Sequence, residues 1–387
     1  MANLTLKSQN EIFKLLELDS VEPINKSFIE KEIKQGIYIY GAGELGKLAL
    51  NYCEACKIKV MGVVDNYKSG YLKSDTKKKY QIKKPYEIDR HSKNKFQIAI
   101  TIANIEIKPI LFELKRNGWK KTFPFYDLTT KTRSGHPLNN GWKVGKMDDK
   151  EKSSVKFIFE TLSDETSIKH YEAFISWHIS GTELNPKNHP IQNHERYSTP
   201  FFIKALKQSK RNKCLLDIGA HHSEVTKKLT AQNILFKNYY LFEPDTRSRN
   251  YLFKNKKKIS PKNSKFYISK KIISKSQEKL GFVNNLGYCS QIWPYAKNKF
   301  KTYELDSLQI KPDLIKIHTE GTELDVLMGA KKTIINYNPF LVFSVYHRRE
   351  GFYSDITTPI KNFKNYNWFF RLHGFQGTGA FIYGIPI

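Results

Sequence analysis

The chain has four cysteines among its 387 residues, Cys53, Cys56, Cys214 and Cys289, too few for a disulfide scaffold and suited to a reducing compartment. Cys53-x-x-Cys56 has no second Cys or His pair at zinc spacing, so it reads as helix packing and no metal site is assigned from it. No run of about 18 apolar residues is present, which excludes a membrane-spanning helix on hydropathy. The opening MANLTLKSQN lacks the apolar core of a secretory signal, and the expected location is cytoplasmic. Acidic residues are scarce: 37 Asp and Glu stand against 65 Lys and Arg, a formal net charge of +28. Such a charge attracts polyanions and permits peripheral attachment to an anionic surface. The lysines are scattered, however, and runs such as Lys77 to Lys79 and Lys256 to Lys258 read as solvated faces. With no RNA-recognition signature or zinc finger, no specific nucleic-acid partner is expected.

What the chain does have is 40% hydrophobic residues, enough for a sizeable core, and a length that favours two domains. Two strand, glycine-turn, helix, strand units stand out. In the first, Gly41-x-Gly43-x-x-Gly46 follows the strand Ile37 to Tyr40, and Asp65 ends the next strand, the context of a dinucleotide fingerprint. That turn either binds a nucleotide at the helix N-terminus or only permits close strand-helix packing, and Glu44 within it would repel a phosphate. In the second, CLLDIGAHHSEVTKKL from Cys214 leads to YYLFEP, ending at Pro244. Gly219 lets the backbone approach a ligand, and Glu243 at the next strand tip is placed to accept ribose hydroxyls. The dinucleotide spacing is missing here. Ala220, His221, His222 and Ser223 follow one firm glycine, which suits a cofactor without a pyrophosphate, S-adenosylmethionine rather than NAD.

From Asn212 onward strands and helices alternate: Cys214 to Ile218, Asn238 to Phe242, Phe266 to Ser269, Leu314 to His318 and Phe340 to Tyr346. A mainly parallel sheet with helices on both faces follows. Trp368 to Leu372 and Ala380 to Tyr383 are expected as a C-terminal antiparallel hairpin at one sheet edge. The fold class is therefore α/β, with a smaller N-terminal Rossmann-like domain over residues 1–128, a linker over 129–152, a helical bridge over 153–205 and a second α/β domain over 206–387. Ligands in open α/β sheets bind beyond the carboxyl ends of the strands. The fourth tip of the second domain delivers Lys316, His318, Glu320 and Glu323 around Gly321, and the fifth ends at His347.

The segments DIGAHHSEVT, LFEP, YELDSLQIKPDLIKIHTEGTELDVLMGA, SVYHRREGFYSDITTPIKNF and NWFFRLHGF together resemble the FkbM family of methyltransferases, from about Thr161 to the C-terminus. LSDETSIKHYEAFISWHISG, from Leu162 to Gly181, and the N-terminal glycine-turn domain are similar to what precedes the catalytic domain in one long branch of that family. The resemblance implies a Rossmann-like methyltransferase fold, S-adenosylmethionine as donor, and most often a hydroxyl of a sugar or another secondary metabolite as acceptor. It implies that Asp217 and Gly219, with Ala220 beside them, meet the amino-acid part of the cofactor, and that Glu243, followed by Pro244, meets its ribose. Glu320, Gly321 and Glu323 match the family's motif after the fourth strand, and His347 its histidine after the fifth. Where members commonly have IDVEG, this chain has Ile317-His318-Thr319-Glu320-Gly321, so His318 replaces an expected Asp.

A hydroxyl acceptor must lose its proton, and a neutral imidazole with a pKa of about 6.5 is suited to take it. His318 or His347 is the expected base, with Glu320 or Glu323 orienting it. A buried, hydrogen-bonded core histidine is the alternative for each. A divalent metal is compatible with these carboxylates, but no spacing specifies one. Arg348, Arg371 and His373 are candidates for holding an anionic acceptor, or else edge-strand charge that discourages aggregation. The expected activity is O-methylation of a sugar in a surface glycan or its precursor. A nucleic-acid methyltransferase and a non-catalytic scaffold with a decayed site are the rival readings.

Overall fold

The computed structural model describes residues 33, 35–131, 137–138, 144, 147–185 and 187–387. The helical opening of the first domain and half of the expected linker lie outside them. No helix among the described residues is long and apolar enough to cross a membrane.

The first sheet is built on β1 (Ile37–Tyr40), whose four β-branched and aromatic residues are all buried, as expected of a strand covered on both faces. It pairs in parallel with β2 (Val60–Val64) and with β5 (Gln97–Ile100). β3 (Tyr71–Lys73), β4 (Lys79–Lys83) and β6 (Thr122–Pro124) complete the order β3-β4-β2-β1-β5-β6, with only the β3–β4 pair antiparallel. Helices α1 (Glu44–Ala55), α2 (Arg90–Lys95), α3 (Ile107–Arg116) and α4 (Phe125–Lys131) connect these strands or close the unit. The glycines of the first turn have different tasks. A Cβ on Gly46 would lie 2.0 Å from the Gly41 carbonyl oxygen, whereas one on Gly43 would meet nothing. Gly46 therefore sets the close seating of α1 on the strand, and Cys53 is buried in that interface, in keeping with a packing role.

Among the described residues three α-helices follow. α5 (Asp149–Thr161) opens with a capping box in which Asp148 and Glu151 satisfy each other's backbone N–H groups. α6 (Glu165–Ser180) has 11 of its 16 residues buried and ends at Gly181 in the left-handed region. α7 (Pro200–Ser209) carries Pro at its first turn. α5 starts at Asp149, inside the stretch expected to be linker.

The second sheet contains β7 (Cys214–Ile218), β8 (Asn238–Phe242) and β9 (Lys265–Ser269), joined by α8 (Glu224–Ala231) and α9 (Thr246–Ile259). Next comes a small sheet that the sequence reading did not anticipate, made of β10 (Ile272–Ile273), β11 (Lys279–Val283), β12 (Gln291–Ile292) and β13 (Lys299–Tyr303). β14 (Leu314–Ile317), α10 (Glu323–Gly329), α11 (Lys331–Tyr337), β15 (Phe340–Ser344), α12 (Ser354–Asn362), β16 (Tyr366–Leu372) and β17 (Ala380–Pro386) return to the main sheet. Its order is β16-β17-β15-β14-β7-β8-β9. The last two strands are antiparallel and β16 is the outer one, as the short glycine-rich link between them suggested. α6 covers this edge: the Ser163 N–H donates to the Trp368 carbonyl at 2.9 Å, and the Phe370 N–H donates to Ser167 Oγ at 3.0 Å. Both lysine runs, at 77–79 and 256–258, are exposed.

The contrast between the two glycines gives a stability test. Gly46→Ala is expected to cost roughly 1–3 kcal/mol by overpacking, while Gly43→Ala stays within about 0.5 kcal/mol of the parent. Thermal melts of the two variants check this, and equal effects would contradict it.

Candidate active site

The carboxyl ends of both main sheets open onto one cavity of about 790 Å³. The first sheet contributes Gly41, Gly43, Glu44, Asp65 and Lys68. The second contributes Gly219, Ala220, Glu243, Pro244, His318 and Glu320, and the small sheet adds Ile272, Ile273 and Phe282.

One wall is the loop after β7. Gly219 has φ +72°, and a Cβ there would lie 1.9 Å from the His318 carbonyl oxygen. Only glycine lets the β7 and β14 tips run this close. Asp217, fully buried, pairs with Lys316 at 2.9 Å, and Lys316 Nζ also donates to the Gly219 carbonyl at 2.6 Å. Ser223 Oγ donates to Asp217 at 3.2 Å. His221 and Ser223 take φ of 45° and 52°, left-handed conformations that cost side-chain-bearing residues free energy and gather at functional loops. Asp217, expected to meet a cofactor, is buried and does not border the cavity, its side chain bracing the loop, while Gly219 and Ala220 border it. Glu243 accepts from the His221 N–H at 2.5 Å and the Asp245 N–H at 2.8 Å. Burial pushes its carboxyl up to about 7 against the opposing effect of these amides.

The facing wall comes from the β14 and β15 tips, where Glu320 has φ 58° and Gly321 φ 110°. This turn brings together the four residues expected to be catalytic. His318 Nδ1 is 2.9 Å from the Tyr197 hydroxyl. Its Nε2 is 3.1 Å from the Tyr346 hydroxyl and 3.5 Å from Glu320 Oε1. His347 Nδ1 stands 3.3 Å from Glu320 Oε2, and Nε2 stands 4.0 Å from Glu323 Oε1. Glu323 is a brace, accepting from the Thr319 and Gly321 N–H groups at 2.9 and 3.0 Å and from the Ser344 hydroxyl at 2.7 Å. His318 and Glu320 border the cavity, whereas His347 and Glu323 stand behind them.

Burial sets the ionisation of this cluster. Burial, with His347 and Lys316 nearby, holds the His318 imidazole well below its ordinary value. Burial and then Arg196 push His347 down to about 3. Burial thus favours the neutral form of both rings. Burial and the neighbouring Glu323 raise Glu320 well above the carboxylate range.

The arginines expected to hold an acceptor have partners of their own. Arg348 makes a two-pronged pair with Asp355 at 2.7 and 2.6 Å, and Arg371 pairs with Asp164 at 2.5 Å and stacks over Phe201. Neither borders the cavity; each guanidinium ties elements of the fold together. His373 does border it, fixed by the Gln192 carbonyl at 2.7 Å and the Tyr383 hydroxyl at 2.8 Å. In the first domain, Gly41, Gly43 and Asp65 border the cavity and Gly46 does not. Asp65 accepts from the Ala42, Tyr67 and Lys68 N–H groups at 2.7, 2.8 and 2.9 Å, so its oxygens tie two loops together. Sequence reasoning missed Arg196, Tyr197 and Tyr346 as cavity residues. Arg196 and Tyr197 come from the irregular stretch before α7, and no local motif marks them.

Residues 217–376 match the profile of the methyltransferase FkbM domain family. No curated protein matches the chain in sequence. Among solved structures, a methyltransferase FkbM from Methylobacillus flagellatus KT is similar over 98% of this chain and 99% of its own, with TM-score 0.64 and 16% identity, a likeness of fold. A precorrin-6y C5,15-methyltransferase from Geobacter metallireducens GS-15 aligns over 51% of this chain and 95% of its own, with TM-score 0.29 and 11% identity.

The buried Asp217–Lys316 pair predicts a specific pattern. Lys316→Met strands a buried carboxylate and is expected to cost about 3–5 kcal/mol, whereas combining it with Asp217→Leu removes much of that cost. Urea denaturation of both variants checks this. A double variant as unstable as the single one would contradict it.

Proposed function

The chain carries a methyltransferase domain of the FkbM family, and on that premise we propose that it is an S-adenosylmethionine-dependent O-methyltransferase acting on a hydroxyl of a sugar in a surface glycan or its precursor. The observation that carries this reading is a cavity of about 790 Å³ with two chemically distinct walls. It lies toward the upper end of the roughly 300–1,000 Å³ usual for small-molecule sites, which supports a nucleoside cofactor and an acceptor bound together.

The residues fit such a cofactor. Gly219 leaves the loop without a side chain, Glu243 offers a carboxylate at the β8 tip, and Ile272, Ile273 and Phe282 provide apolar surface for a purine. When bound, S-adenosylmethionine supplies an electrophilic methyl group on a sulfonium. The chain's own task is then alignment, which contributes several kcal/mol to such displacements. His318, Glu320 and the Tyr346 hydroxyl present donors and acceptors to an acceptor hydroxyl, and Arg196 and His373 line the same space.

Transfer of labelled methyl from S-adenosylmethionine to a panel of nucleotide sugars tests the proposal. Incorporation into an alkali-stable methyl ether is expected. Incorporation into RNA alone would favour a nucleic-acid acceptor, and failure to bind S-adenosylhomocysteine at all would favour a scaffold. A pH dependence follows from Glu243, which is neutral below about 7 and anionic above it. Ribose hydroxyls donate to the anion, so affinity for S-adenosylhomocysteine is expected to rise about tenfold between about pH 6 and pH 8 and then level off. Titration calorimetry across this range, repeated with Glu243→Gln to flatten the profile, measures it.

A further inference from the structure

We propose that His318, Glu320 and His347 form a binding site for one divalent first-row transition-metal ion. One ligand atom from each residue lies within 4.8 Å of the others. Glu320 reaches the two imidazoles through different oxygens, Oε1 at 3.5 Å from His318 Nε2 and Oε2 at 3.3 Å from His347 Nδ1, each gap near the ~3.4 Å between neighbouring donors around zinc.

The second observation is His347 itself. It is 2% exposed, and among the described residues neither ring nitrogen has a hydrogen-bond partner. A buried polar group without such a partner is uncommon and calls for a physical explanation. An ion bonded to Nδ1 supplies one, and it leaves the Nε2 proton directed toward Glu323, 4.0 Å away. His318 has the matching outer contact, Nδ1 to the Tyr197 hydroxyl at 2.9 Å. Metal-bound imidazoles are commonly oriented by such a partner on the other nitrogen. The Tyr346 hydroxyl, 3.1 Å from Nε2, is the group an ion displaces.

The donor chemistry selects the class of ion. Two neutral imidazoles and one carboxylate suit zinc, manganese, iron or cobalt, whereas magnesium and calcium prefer all-oxygen shells. Glu320, held in its protonated form by burial, coordinates as the carboxylate once a dication takes the place of its proton. His318 and Glu320 border the cavity, so the remaining coordination positions face it. There an ion lowers the pKa of a hydroxyl it holds. That role rests on the methyl-transfer reading above; the binding site itself does not.

The test uses the full chain stripped with a chelator and titrated with Co²⁺. Visible d–d absorption that saturates at one equivalent is expected in the parent and in His189→Ala. It is lost in Glu320→Gln and His347→Ala, and Tyr197→Phe weakens binding roughly 10–100-fold. No absorption in the parent, or absorption unchanged in the two ligand variants, overturns the proposal. If the ligand variants do not fold, thermal melts of the stripped parent decide: Zn²⁺ is expected to raise its Tm, and no shift overturns the proposal. S-adenosylhomocysteine titrated into the stripped protein separates the two claims. Cofactor binding without cobalt binding removes the metal and keeps the methyltransferase, and the reverse removes the methyltransferase.

Discussion

The Lys316 ammonium stands 2.9 Å from Asp217 and 2.6 Å from the Gly219 carbonyl oxygen, with both charged side chains buried. A pair of charges in that environment is costly unless each finds its partner, so the tips of β7 and β14 are pinned in one register. Gly219 makes the approach possible, since any Cβ would run into the His318 backbone. The loop bearing Gly219 to Ser223 and the turn bearing His318 to Gly321 consequently become adjacent walls of one cavity. The strained φ values of His221, Ser223 and Glu320 are held between these fixed points.

The carboxylates around this cavity differ in what they do, and their contacts explain why. Asp217 and Glu323 are consumed by bonds to neighbouring loops, and Asp65 does the same in the first domain. Glu243 and Glu320 border the cavity and are raised by burial, which leaves them responsive to a ligand or an ion. The glycine turn of the first domain faces this same space, so its residues contribute to the shape of the site whether or not they hold a ligand of their own.

Much of the scaffold was legible in the sequence because the buried strands are short apolar runs bounded by turn residues. β7 and β8 begin and end where the pattern of Cys214–Ile218 and Asn238–Phe242 implied. The small sheet escaped notice because its strands span two to five residues and carry exposed lysines such as Lys279, Lys299 and Lys301. The motifs located the cavity, but side-chain direction was not readable from them. Asp217 and Gly219 share a motif, yet one points beneath the loop and the other forms its surface. Arg371 looked like an acceptor ligand because no local signal reveals Asp164, which is distant in sequence and waits at 2.5 Å. Arg196 and Tyr197 join the site solely through tertiary packing.

A crystal structure of the complex with S-adenosylhomocysteine bears most directly on the arrangement of the two glycine loops around one cavity. The account predicts the ribose against Glu243, the amino-acid end on the Gly219–Ala220 backbone and the sulfur directed toward His318 and Glu320. A nucleoside seated instead on the Gly41–Gly43 loop, with the Glu243 wall empty, would contradict it.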